Sequence, residues 1–141
     1  MAILSLVALL LSAAPAPGSP PRPACAELER RLAGAQLDSR KWRAFRDVAR
    51  YRATAKLDPL PGFPVCQSVA RARAELRDDP RTARLLRRAG LSQTDYLLTG
   101  WAAIVARYPE DYPGLMSASS ARNRNFVKAY RTEIDALFRG E

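Results

Sequence analysis

Apolar residues recur along this chain at spacings of three and four, with no run of alternating β-branched residues. That pattern predicts helices throughout. Cys25, Leu28, Leu32 and Ala35 form one face of a short first helix, weakened at its end by Gly34. Asp38 or Ser39 caps a second helix over 40–56, with Trp42, Phe45, Val48 and Ala49 on its apolar side. Residues 58–64 hold three prolines and a glycine and cannot stay helical. A third helix is expected over 65–77, with Val69, Ala72 and Leu76 inward. Asp79-Pro80 then reads as an N-cap followed by proline in the first turn of a fourth helix, which Gly90 stops.

Ser92 opens the most apolar helix, and Asp95 three residues on completes a short-armed capping box. Leu97, Leu98, Trp101, Ala102, Ile104, Val105 and Tyr108 cover more than half of its circumference, so 92–108 is expected to be the central core helix. A loop over 109–115 leads to a last helix over 120–139, carrying Phe126, Val127, Tyr130, Ile134, Leu137 and Phe138. The fold class expected is all-α: a single small bundle of about five helices following an N-terminal signal peptide, with one disulfide.

The signal is the stretch 2–14, AILSLVALLLSAA, thirteen residues without a charge. It is too short to span a bilayer, which takes about 20 apolar residues, but it has the length of a signal-peptide core. No Lys or Arg precedes it, which departs from the usual pattern; a buried N-terminal helix is the competing reading. We assign 1–18 to the signal and 19–141 to the helical domain, and expect an exported, periplasmic or secreted protein. Cys25 and Cys66 are the only cysteines and form no C-x-x-C pair. In an oxidising compartment a single disulfide between them is the simplest reading. The loop it closes suggests about 4 kcal/mol of stabilisation by chain entropy. The alternative is two unrelated buried thiols.

Composition narrows the chemistry. The 141 residues carry 23 Lys+Arg against 14 Asp+Glu, a formal net charge of +9, and no histidine. Histidine-dependent nucleophile triads, His-ligated zinc or haem and histidine pH switches are thereby closed off in cis. No cofactor or metal is expected. Catalysis through carboxylates, Lys or Tyr stays open. Only three of the basic residues are Lys, so the excess of Arg reflects a GC-rich genome as readily as a selected surface. Its distribution is uneven: 22–88 hold 17 basic and 8 acidic residues, and 89–141 hold six of each.

Three constellations bear on function. Arg40, Lys41, Arg43, Arg46, Arg50, Arg52 and Lys56 alternate with Trp42, Phe45 and Tyr51, a mixture suited to a membrane surface or an anionic envelope polymer. The plainer reading is a solvated face over a packed aromatic stripe, with Arg stems covering apolar surface. Residues 84–94 fit a helix-turn-helix, with Gly90 in the turn and Ser-Gln-Thr opening the second helix. That helix nevertheless offers Asp95 and no basic residue before Arg107, so nucleic acid is not the expected partner. Glu110-Asp111 is the nearest approach to a carboxylate pair, though sequence neighbours seldom reach the separation a glycosidase needs. Asn123 and Asn125 read as cap and turn formers.

One resemblance adds to this. AGLSQTDYLLT (89–99) and the later NRNFVKAYRTEIDAL (123–137) resemble an uncharacterised group of small exported all-α proteins from GC-rich bacteria. Its pattern is an AGL-[ST]-x-x-[DE]-Y turn-helix followed by a late N-x-x-F-V helix. The resemblance covers roughly the last 65 residues and implies a helical fold and an exported location, with no activity to carry over. The function expected is therefore a non-enzymatic interaction module whose basic N-terminal half contacts anionic envelope components. Its rival is a histidine-independent envelope enzyme acting on glycans, using Asp95, Glu110 or Asp111. A lesser alternative is a DNA-binding protein, which requires that the N-terminus be retained.

Overall fold

Short polar side chains set where the helices begin. In the computed structural model, which describes residues 23–62 and 69–140, Asp38, Asp79, Ser92 and Ser120 each accept a backbone N–H three residues on. Each thereby satisfies a donor that the first turn leaves without a partner. The elements are α1 (Pro23–Gly34), α2 (Ser39–Thr54), α3 (Val69–Arg77), α4 (Pro80–Ala89), α5 (Gln93–Arg107), α6 (Ala121–Ala129) and α7 (Arg131–Arg139). No strand occurs among the described residues. The fold is all-α.

The central helix is α5, in contact with α1, α2, α3, α6 and α7. Ten of its residues are buried, from Tyr96 to Ala106. Trp42 and Phe45 of α2 have no exposure, and Phe45 packs its ring 4.7 Å from that of Tyr96. Gly100 permits this crossing: a Cβ there would lie 2.5 Å from Phe45 Cε2 and 2.7 Å from Leu60 Cδ1. At the α4–α5 corner Gly90 takes φ +67, the left-handed conformation that a side chain disfavours.

The structure differs from the sequence reading in three places. The expected helix over 120–139 is two helices, parted at Tyr130, whose φ −107 and ψ 18 leave the helical region. The turn sets α7 against both α2 and α5, where Glu133 and Asp135 find partners. The loop 109–115 winds into two 3₁₀ turns, Pro109–Asp111 and Pro113–Ala118. Asn123 is not a cap but a buried bridge: its Oδ1 accepts the Leu37 N–H at 2.9 Å, and its Nδ2 donates to the Ala35 carbonyl at 2.8 Å. The signal segment 1–18 and the Cys25–Cys66 pairing fall outside the described residues.

Candidate functional site

Helix α2 sorts its own basic residues. Trp42, Phe45, Val48, Ala49 and Arg52 fall on one side and are buried, so the opposite side must face water. Arg40, Arg43 and Arg50 are exposed there, and Lys56 is exposed just past the helix at φ +58. Lys41 and Arg46 lie at the edges, half-buried. Lys41 lines a cavity of about 410 Å³ with Arg30, Arg31 and Asp95. The Nη1 of Arg46 pairs with Glu133 Oε1 at 3.1 Å, and its Nε with Asp47 at 3.2 Å.

Arg52 is a core residue, 3% exposed. Its Nε donates to the Asp58 carbonyl at 2.7 Å and its Nη1 to Thr82 Oγ1 at 3.0 Å. Hydrogen-bond partners of this kind are what a buried cation requires. Sequence spacing placed it among the contact residues because it shares their helix. Its register, seven residues after Phe45 and four after Val48, turns it inward instead.

The neighbouring helix supplies what α2 lacks. Arg40 reaches the C-terminal end of α4, where a Cβ on Gly90 would come within 3.3 Å of its Nη2. At the other end Tyr51 Oη donates to Asp79 Oδ2 at 3.0 Å, and the Arg81 guanidinium lies 4.6 Å from the Tyr51 ring centroid. The two helices are therefore antiparallel neighbours. Asp79 also accepts from the Thr82 hydroxyl and N–H, which holds its carboxyl below the ordinary carboxylate range. Partial burial, then the bond to Asp79, raises the Tyr51 phenol.

Helix α4 contains no acidic residue and exposes Arg81, Arg84, Arg87 and Arg88, while Thr82 and Leu86 are buried. Arg81, Arg84 and Arg88 share one side of α4 at i, i+3 and i+7, and Arg81 on that side lies over Tyr51 of α2. With Arg40, Arg43 and Arg50 of α2 they make six exposed arginines on two neighbouring helices. Asp47, already paired with Arg46, is the acid on the outward side of either helix. The α4 arginines escaped the sequence reading. The signal was present in PRTARLLRRA, whose polar side at i, i+3 and i+7 is wholly basic.

Of the α2 aromatics only Tyr51, half-buried under Arg81, lies beside these arginines. Trp42 and Phe45 are in the core, and the Trp42 indole N–H donates to Glu133 Oε2 at 2.7 Å. Base stacking and insertion into lipid therefore lose their side chains; charge attraction remains. The carboxylates proposed for glycan chemistry do not converge either. Asp95 lines the 410 Å³ cavity beside α1, whereas Glu110 and Asp111 line a separate cleft, where Asp111 pairs with Arg139 at 2.8 Å. Among the described residues no group of three or more potential metal ligands occurs, and no helix is long and apolar enough to cross a membrane. No family model matches this chain, and neither does any curated protein or solved structure.

Proposed function

We propose that this chain is an exported, non-enzymatic interaction module that docks on an anionic membrane surface of the cell envelope through the arginine face of α2 and α4. The observation that carries the reading is the six exposed arginines on two antiparallel helices, with no large apolar side chain exposed on either. Basic side chains near an anionic surface contribute about 1 kcal/mol each. Six suffice for association at low salt, and the attraction weakens as salt shortens the Debye length. Export rests on the uncharged stretch 2–14 and on the resemblance of 89–99 and 123–137 to exported helical proteins; the Cys25–Cys66 bridge belongs to the same reading.

Vesicle co-sedimentation tests the surface. The protein is expected to sediment with phosphatidylglycerol vesicles at low salt, to release at high salt, and to ignore phosphatidylcholine. Substituting Arg43→Glu, Arg50→Glu and Arg84→Glu together abolishes binding on this reading. Arg46 is left out because its reversal would set two carboxylates together at Glu133. Undiminished sedimentation of the triple variant would remove the proposal. Export has its own check: the mature N-terminus is expected near residue 19 in a periplasmic fraction, and a chain retaining residues 1–18 in the cytoplasm overturns it.

A further inference from the structure

A second basic site lies in the half of the chain whose formal charges cancel. The end of α5, the 3₁₀ turn Pro109–Asp111, α6 and α7 enclose a cleft of about 400 Å³. Its floor is a fixed network. Asp135 accepts two bonds from Arg107, at 2.8 and 2.7 Å, and one from the Tyr108 hydroxyl at 2.6 Å. The Arg139 guanidinium lies 3.8 Å from the Tyr108 ring centroid and pairs with Asp111 at 2.8 Å. Both aspartates are thus committed to floor residues.

The rim is different. Arg124 and Lys128 stand one turn apart on α6, Arg131 follows at the start of α7, and all three line the cleft. Lys128 has no ion-pair partner among the described residues. Arg131 is 70% exposed and reaches Asp135 only at 3.8 Å. Arg124 spends one donor on the Ser119 carbonyl. Five cationic side chains face three carboxylates here, Glu110, Asp111 and Asp135, and the surplus positive charge sits at the rim.

We infer that this cleft binds a soluble, multiply charged phosphate compound, such as a phosphate monoester or pyrophosphate, held by Arg124, Lys128 and Arg131 above the Arg107–Asp135–Tyr108 floor. Guanidinium groups meet phosphate oxygens through paired N–H donors, and an ammonium adds a point charge. The bidentate bond to Asp135 holds Arg107 in place before any ligand arrives, so little side-chain entropy is lost there.

Titration calorimetry of the full chain with inorganic pyrophosphate at low ionic strength tests this. One saturable site is expected. The exposed pair Lys128→Ala and Arg131→Ala should weaken it by about tenfold or more, and Lys128→Arg should keep it. Absence of saturable binding, or an undiminished affinity in the double variant, overturns the inference. The vesicle-binding triple variant is expected to retain pyrophosphate affinity; its loss would move the anion to the α2–α4 face and also overturn the cleft assignment. The double variant is expected to keep its vesicle binding. Loss of that binding would make lipid head groups the ligand in place of a soluble phosphate compound.

Discussion

Asn123 shows how one amide can fix a joint between distant parts of the chain. It is 1% exposed and satisfies both backbone groups that the α1–α2 connection leaves open, at Ala35 and Leu37. Asn123→Ala removes both partners at once, stranding a buried N–H and a partly buried carbonyl. A loss of about 2–4 kcal/mol in urea unfolding is expected, since each stranded group costs about 1–3 kcal/mol less what water recovers. Asn123→Asp keeps the acceptor for Leu37 but turns a second oxygen toward the Ala35 carbonyl. It is therefore expected to be as damaging as alanine, and a neutral outcome for both would show that water replaces the bridge. The late N-x-x-F-V pattern gains a physical meaning from this, because Asn123 and Val127 are both buried. In AGLSQTDY, likewise, Gly90 turns the corner, Ser92 caps α5 and Tyr96 enters the core. These motif positions specify the fold.

At the scale of elements, the sequence is most legible where structure is local. The caps at Asp79 and Ser92, the proline opening α4 and the glycine closing it depend on residues within a turn of one another, and they appear as the spacing predicts. The break at Tyr130 was not legible. Neither proline nor glycine marks it, and its consequences are tertiary: Glu133 reaches Trp42 and Arg46, and Asp135 reaches Arg107 and Tyr108. The proposed docking surface was half legible for the same reason. Inspection of 40–56 as a single helix finds its basic residues, but only the antiparallel packing of α4 joins Arg81, Arg84 and Arg88 to them. Nor does composition say that Arg52 is inside; a buried arginine is set by what surrounds it, here the Asp58 carbonyl and Thr82.

For the whole molecule, the absence of histidine and the placement of its carboxylates fix how stability responds to pH. Between pH 5 and 8 no side chain with an ordinary pKa in that range is present, since histidine is the group that titrates there. The carboxylates act lower down. Arg107 first, then the Tyr108 hydroxyl, hold Asp135 below the ordinary carboxylate range, and Thr82 does the same for Asp79. Partial burial and the bond to Asp135 in turn push the Tyr108 phenol up to about 12. A carboxyl with a depressed folded-state pKa binds fewer protons folded than unfolded, so its stabilisation is complete above the unfolded value, near pH 4. That contribution is lost as pH falls through the folded value. Stability is therefore expected to be level from pH 5 to 8 and to fall steeply below about pH 4. Asp135→Asn cannot ionise, so the variant, already weaker at neutral pH, should lose less on going from pH 6 to pH 3 than the parent protein does. Urea midpoints at those two pH values decide the matter. Equal losses in the two proteins would mean that the Arg107–Asp135 pair is as well made in the unfolded chain as in the folded one, and the floor of the α5–α7 cleft would then not be the fixed platform its geometry describes.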